Sequence, residues 1–212
     1  MTATDISSLQ RTLSACVKAQ TDAVPAWHAT EPGVERAGPD AGGLDQLRAL
    51  VQEQHLANFR IWHREDTARR RDVGDDVIAA CKRDIDALNQ ERNDLIEQVD
   101  GCLVGLLEPL LPAAAEDRFN TETVGMGLDR LSILSLRIYH MQEQAERQDV
   151  EDEHRKATRA KEATLAEQHA DLQRGLMDLI ADYAAGRKRP KVYFQFKMYN
   201  DPRLNPELYR RQ

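Results

Sequence analysis

The chain has 212 residues, of which 41% are hydrophobic, 31% are charged and 5% are aromatic. With 11 Gly and 8 Pro, this composition favours long helices over a β-sandwich, and no apolar run approaches the ~20 residues that span a bilayer. A net charge of −7 gives the protein no general attraction for nucleic acid or for anionic membranes.

Three cysteines are scattered along the chain, at Cys16, Cys81 and Cys102, and none belongs to a CxxC pair. Their odd number and wide spacing argue against a disulfide framework and a cysteine zinc site, so each is predicted to be a small buried side chain. The opening residues, MTATDISSLQRTL, lack the basic-then-apolar pattern of a secretion signal, and we therefore expect a cytoplasmic protein.

The first half of the chain predicts three helices. Apolar residues at helical spacing predict a first helix over Ile6–Thr21, and residues 22–43, which contain three prolines, are predicted to form a surface loop. A second helix is predicted from Leu44 to about Arg71, where an Asp-Val-Gly sequence breaks it. A third is predicted over Asp75–Leu107, because its first residues are acidic, which suits the positive end of the helix dipole, and prolines follow its end.

The second half predicts two more helices. Asn120 or Thr121 is a candidate cap for a fourth helix that extends to about Gln148. The segment Glu143–Glu162 is almost wholly charged and is predicted to be a solvated helical arm projecting from the bundle. Leucines then restore an apolar seam, which predicts that the fifth helix continues to about Ala185.

The end of the chain predicts a helix stop and a tail. Gly186 is a suitable stop for the fifth helix, and residues 187–212 are predicted to lie over the helices as an extended strap. These elements predict one domain over residues 1–212, an all-α up-down helical bundle of about five helices.

The predicted third helix carries a narrow polar strip. At about 100° per residue, six polar side chains fall within an arc of about 80°. They are Lys82, Asp86, Asn89, Asn93, Glu97 and Asp100. Arg92 lies within the neighbouring apolar arc, and a buried guanidinium group requires a facing carboxylate or a bound anion.

Helices two and four also carry polar residues where apolar ones are expected. Polar residues continue the inward line of helix two, and helix four places Asp129 and His140 in line with apolar residues. We therefore predict a polar site between helices two, three and four. Its ligand-binding residues are predicted to be Asn58, Arg69, Lys82, Asp86, Asn89, Arg92, Asn93, Asp129 and His140. The alternative is an internal Arg–carboxylate and Asn network that holds the bundle together and binds nothing.

The chain resembles a bacterial group catalogued as domain of unknown function 4254. The resemblance rests on the segments NFRIWHREDTARR, KRDIDALNQERNDLIEQVD, LDRLSILSLRIYHM and KMYNDPRLNPELY, and it covers about Leu44–Tyr209. It implies an α-helical cytoplasmic protein and supplies no established activity. Such proteins are often encoded near sugar-transferring enzymes of surface polysaccharide synthesis, which points to phosphorylated sugars or nucleotides. Gly74 departs from the pattern, because a Ser-like helix cap is expected there.

The first functional hypothesis is a metal-assisted enzyme or binding protein for a phosphorylated small molecule, either a nucleotide or a sugar phosphate. Asp66, Glu97 and Asp100 offer the carboxylate oxygens that suit Mg²⁺ or Mn²⁺. Phosphate oxygens would be neutralised by Arg69, Lys82 and Arg92.

The catalytic residues of this hypothesis are carboxylates on two helices. Glu97 and Asp100 lie one turn apart on one helix face, and Glu65 and Asp66 could oppose them from helix two. The arrangement is similar to that of all-α nucleotide pyrophosphohydrolases, which pair acidic helices around magnesium. Glu65, Asp66 and Glu97 are therefore the predicted catalytic residues.

Two alternatives do not involve a small molecule. The first is a non-catalytic helical adaptor or scaffold that forms a homodimer or supports a polysaccharide-synthesis enzyme, with the leucine seam Leu165–Leu179 and the charged arm as its contact. The second is nucleic-acid binding through the basic run Gly186–Lys191 and the aromatic residues behind it. That run is short and the other charges are mainly acidic, so a helix C-terminus that gathers cations for dipole reasons is the favoured interpretation.

Overall fold

The computed structural model describes residues 5–33 and 42–210 of the chain. Five long helices and one short helix occupy this described part, in which no β-strand occurs. They are α1 (Ile6–Ala29), α2 (Gly43–Ala68), α3 (Asp75–Leu107), α4 (Val124–Glu146), α5 (Asp152–Ala184) and α6 (Pro206–Tyr209). The predicted all-α bundle with a C-terminal strap is confirmed. None of the helices in the described ranges has the length and apolar character that crossing a bilayer requires.

Two antiparallel helix pairs and α1 make up the bundle. Helix α2 packs along α3 and α4 packs along α5, while α1 contacts α2, α4 and α5. Their shared core is almost entirely aliphatic, and full burial of each such side chain contributes roughly 1.5–3 kcal/mol. Its fully buried members include Leu9, Leu13, Leu47, Leu107, Leu128, Leu131 and Ile180. All three cysteines are free thiols; Cys16 and Cys81 are buried as predicted, whereas Cys102 is only partly buried.

Helix α1 is longer than predicted. It runs through Pro25 to Ala29, so the first part of the predicted loop over residues 22–43 is helical. Proline inside a helix removes a backbone hydrogen bond and costs about 3 kcal/mol. Val24 and Trp27 offset that cost, because both are buried in a second apolar cluster together with Phe59. The part of the predicted loop over residues 34–41 lies outside the described residues.

The predicted start of the fourth helix and the predicted charged arm are both corrected. Thr123 caps α4, in place of Asn120 or Thr121, and its Oγ1 accepts a hydrogen bond from Met126 N at 3.1 Å. The charged segment turns back at residues 147–151, so that α5 packs against α4 and does not project. Thr158, in the middle of that segment, is buried.

The end of α5 matches the prediction that Gly186 stops the helix. Gly186 has a φ of +70° and donates from its backbone N–H to Tyr183 O, while Arg187 N donates to Asp182 O. These two bonds are the Schellman arrangement, in which glycine takes the left-handed conformation. Leu176 and Leu179 belong to the bundle's own core, so the leucine seam is not available for the partner contact that we predicted.

The C-terminal tail lies along α3 as the predicted strap. Gln195 N donates to Glu97 Oε1 at 2.9 Å, and Lys197 Nζ donates to the backbone oxygen of Asn89 at 3.2 Å. Just before the strap, the basic run contacts the loop between α3 and α4. Arg189 donates to Ala115 O at 2.9 Å, and the other basic side chains of the run pair with Asp182 or lie over an aromatic ring. The basic side chains of this run are thus engaged by other groups of the same chain.

Candidate functional site

The polar strip of α3 does not line a single site. Asn93 and Asp100 are buried, whereas Lys82 pairs with Asp86 at the surface. Glu97 accepts the hydrogen bond from the tail described above. The strip is therefore divided between the interior, the tail contact and solvent.

Asp100 anchors the start of α4. Its Oδ1 accepts a hydrogen bond from Gly125 N at 2.7 Å, and only 4% of the residue is exposed. Burial raises the pKa of Asp100 from its ordinary value of 3.8 to about 6, although hydrogen bonds from Thr123 and Gly125 favour the charged form. A carboxylate at a helix N-terminus satisfies backbone N–H groups that have no partner inside the helix.

The predicted metal ligands Asp66, Glu97 and Asp100 do not converge, so the prediction of a shared Mg²⁺ or Mn²⁺ site is corrected. Helices α2 and α3 are antiparallel, and Arg64 on α2 pairs with Asp84 on α3. A helix rises 1.5 Å per residue, which places Glu97 roughly 20 Å further along α3 from the level of Asp66. The acidic pattern is real on each helix, but the antiparallel register separates its members.

A buried polar network does join α2, α3 and α4. Asn58 Nδ2 donates to Asp129 Oδ1 at 2.8 Å and to Ser132 Oγ at 3.0 Å, and His55 Nδ1 shares a hydrogen bond with the same hydroxyl at 2.7 Å. Arg92 Nη1 donates to Asn58 Oδ1 at 3.4 Å. Arg92 was predicted to face a carboxylate or a bound anion, and the carboxylate that faces it is that of Asp129, whose Oδ1 lies 3.9 Å from Arg92 Nε.

Asp129 is buried within this polar network. Burial raises its pKa, and the positive charge of Arg92 and the hydrogen bond from Asn58 act in the opposite direction. Arg92 Nε is buried and has no hydrogen-bond partner among the described residues. Burying such a donor without a partner costs free energy, so this guanidinium group retains unused capacity to bind an anion.

A cavity of about 400 Å³ opens beside this network. It lies between α2, α3 and α4, where we predicted a site. Its lining is Asn58, Ile61, Trp62, Glu65, Asp66, Arg69, Arg92, Ile133, Leu136 and Arg137. Five of the predicted site residues are therefore at the cavity. The others lie elsewhere: Lys82, Asp86, Asn89, Asn93, Glu97, Asp100, Asp129 and His140 do not line it.

Three arginines line the cavity together with the carboxylates of Glu65 and Asp66: Arg69 just after the end of α2, Arg92 on α3 and Arg137 on α4. Arg69 pairs with Glu65, and Arg92 has the loose contact with Asp129. Arg137 makes no hydrogen bond or ion pair with any residue in the described ranges. We did not predict Arg137 at the site, although its signal was present: a cation two turns after Arg130 on a mostly apolar helix.

His140 belongs to a different group of side chains. Its ring centroid lies 5.0 Å from that of His28 and 6.0 Å from that of His63. Burial lowers the pKa of His63, and the neighbouring His28 and His140 lower it further. Sequence analysis missed His28 because it falls in the segment that we predicted to be a loop.

Comparisons with known proteins give one match. The chain matches the family described as Protein of unknown function (DUF4254) over residues 48–192. No curated protein and no solved structure matches the chain.

Proposed function

The chain belongs to the DUF4254 family of proteins of unknown function, and from that premise, which assigns no activity, we propose that it binds a phosphorylated small molecule, a nucleotide or a sugar phosphate. The binding site is the cavity between α2, α3 and α4. The observation that carries the proposal is that three arginines, Arg69, Arg92 and Arg137, line one cavity of about 400 Å³.

The arginines supply the phosphate contacts. A guanidinium group presents a planar set of donors that matches two phosphate oxygens at once, and such charge-assisted bonds are about twice as strong as neutral ones. Arg137 makes no ion pair within the described ranges, and Arg92 Nε lacks a hydrogen-bond partner there. Each can therefore engage a ligand without breaking a close ion pair.

The apolar part of the lining suits the rest of such a ligand. Ile61, Trp62, Ile133 and Leu136 form a wall against which a nucleobase or the flat face of a sugar can pack. A mostly apolar wall with a few convergent polar groups is typical of small-molecule sites.

The carboxylates at the cavity can bind a metal ion without the other predicted metal ligands, Glu97 and Asp100. Mg²⁺ is commonly bound by one or two carboxylates together with the phosphates of the ligand. Glu65 and Asp66 line the cavity, and Asp66 makes no ion pair in the described structure. In this proposal Asp66 holds Mg²⁺ or Mn²⁺ when the ligand brings it.

Replacing Arg137 by glutamine is expected to weaken the binding of ADP and of pyrophosphate about tenfold, because one charge-assisted contact to phosphate is lost. Isothermal titration calorimetry with and without Mg²⁺ measures the effect. Arg130→Gln is the matched control, since Arg130 lies two turns away on α4 and pairs with Glu122 at the surface. Equal losses in both variants, or no binding by the unmodified protein, would contradict the proposal.

The second candidate is the non-catalytic adaptor, favoured by one observation on the tail. Phe194, Phe196 and Tyr199 are 58%, 78% and 60% exposed, and neighbouring apolar residues are exposed with them. Exposed aromatic residues in one segment are typical of a protein-binding surface. If the tail joins two copies of the chain, light scattering at two protein concentrations gives a dimer mass, and Phe194→Ser with Phe196→Ser restores the monomer. A monomer mass for the unmodified protein at both concentrations would oppose a dimeric adaptor.

A further inference from the structure

Three histidines from three helices meet near one end of the bundle. His28 lies near the end of α1, His63 on α2 and His140 on α4. Their ligand nitrogens all lie within 4.8 Å of one another. A tetrahedral Zn²⁺ with Zn–N bonds of about 2.0–2.1 Å requires its nitrogen ligands roughly 3.3 Å apart, so binding would draw these nitrogens together by up to about 1.5 Å.

Two of the rings are already oriented as metal ligands. His28 Nδ1 lies 2.7 Å from Val24 O, and His140 Nδ1 lies 2.7 Å from Glu143 Oε2. Both acceptors are oxygens without hydrogens, so each Nδ1 carries the proton and donates. This leaves a lone pair on each Nε2, and metal-bound histidines typically show this outer hydrogen bond to a carbonyl or carboxylate.

The inward nitrogens of these two rings have no hydrogen-bond partner. His28 Nε2 and His140 Nε2 are buried, and neither has a partner within the described ranges. A buried polar atom without a partner costs free energy, so native structures rarely keep one. Two such atoms, on rings that pack beside a third histidine, are an observation that a bound cation would explain.

Aromatic packing holds the rings in place. Trp62 stacks on His140 with ring centroids 4.7 Å apart and an interplanar angle of 5°, and Tyr139 stacks on His28 at 4.4 Å. Phe59 meets both His28 and His63 edge-on. Such packing restricts the imidazole rotamers and so reduces the entropy lost when a metal binds.

We propose that His28, His63 and His140 form a binding site for Zn²⁺. Neutral imidazole ligands suit late first-row divalent ions and not Mg²⁺, which prefers oxygen. Three protein ligands leave a fourth coordination position for water or for an exogenous ligand, the arrangement found in catalytic zinc sites and not in closed structural ones. None of the three histidines lines the arginine-lined cavity, although Trp62 lines that cavity and stacks on His140, and the proposal does not depend on the cavity's function.

Titration of Zn²⁺ into chelator-treated full-length protein tests the proposal. We expect about one Zn²⁺ per chain by elemental analysis, a rise in the thermal unfolding temperature, and no rise with Mg²⁺. His63→Asn and His140→Asn are each expected to weaken Zn²⁺ binding at least about tenfold, and Glu143→Gln about tenfold. The control is His154→Asn, an exposed residue of α5, which should bind as the unmodified protein does.

A second measurement on the unmodified protein covers the case in which a variant fails to fold. Zn²⁺ should shift the imidazole proton resonances of His28, His63 and His140, and the Co²⁺-substituted protein should show the visible absorption of a tetrahedral nitrogen site. Shifts confined to the remaining histidines, absence of Zn²⁺ binding, or undiminished binding by the folded His63→Asn and His140→Asn variants would overturn the proposal.

Discussion

Replacing Gly125 by alanine is expected to lower the free energy of unfolding by about 3 kcal/mol. The added Cβ would lie 2.8 Å from Ile96 O and 2.8 Å from Asp100 Oδ1. A backbone oxygen cannot move without shifting α3, and the shift would also disturb the hydrogen bond from Gly125 N to Asp100. The gain of about 1 kcal/mol from alanine's higher helix propensity offsets only part of this cost.

Urea unfolding followed by circular dichroism measures the effect of Gly125→Ala, and α3 offers a matched control. Gly101 is exposed, and a Cβ added there would meet no atom within 4 Å. Gly101→Ala should therefore stabilise the protein by up to about 1 kcal/mol. Equal unfolding free energies for the two variants would contradict the close approach of α3 and α4 at Gly125.

Acidification from about pH 7 to about pH 4.5 is expected to remove about 2 kcal/mol of stability through His55. Only 1% of this residue is exposed, and burial lowers its pKa from an ordinary value of 6.5 to about 4. Because the folded pKa is below the unfolded one, the contribution is present above pH 6.5 and is lost as the pH falls toward the folded pKa. Protonation would also place a charge among Trp27, Ser132 and apolar neighbours.

The His55 contribution must be separated from that of Asp100, which has the opposite sign. The raised pKa of Asp100 means that its contribution is present below pH 3.8 and is lost as the pH rises through about 6. The difference in unfolding free energy between the unmodified protein and His55→Asn isolates the imidazole. This difference in unfolding free energy should become smaller as the pH is lowered. The variant His154→Asn, at an exposed position, should show the same pH dependence of the unfolding free energy as the unmodified protein. A pH-independent difference would contradict the assignment.

Hydrophobic periodicity predicted the helix bounds well where helix propensity and tertiary packing favour the same bounds. Helix α3 occupies Asp75–Leu107 as predicted, because acidic residues begin it and prolines follow it. Helix α1 departs from the prediction because Val24 and Trp27 pack against α2 and α4, and this tertiary contact outweighs the proline between them. Helix propensity alone cannot predict a contact with a segment that is distant in the sequence.

The candidate site was predicted only in part, because the sequence does not show which element packs against each face of a helix. A helical wheel shows which side of α3 a residue occupies, and it predicted that Arg92 needs a facing carboxylate or a bound anion; the structure places Asp129 opposite it, 3.9 Å away. The helical wheel does not show which element covers that side of the helix. The tail covers Glu97 and the start of α4 covers Asp100, so neither reaches the cavity. Arg137 and His28 became candidates only once the packing of the helices was known.

The most direct test of phosphate binding in the cavity is a titration of pyrophosphate followed through the arginine side-chain N–H resonances. We predict saturable shifts of the Nε–Hε signals of Arg69, Arg92 and Arg137, with the signal of the surface residue Arg203 unchanged. Saturating shifts confined to surface arginines, or no shifts at millimolar pyrophosphate, would contradict the account.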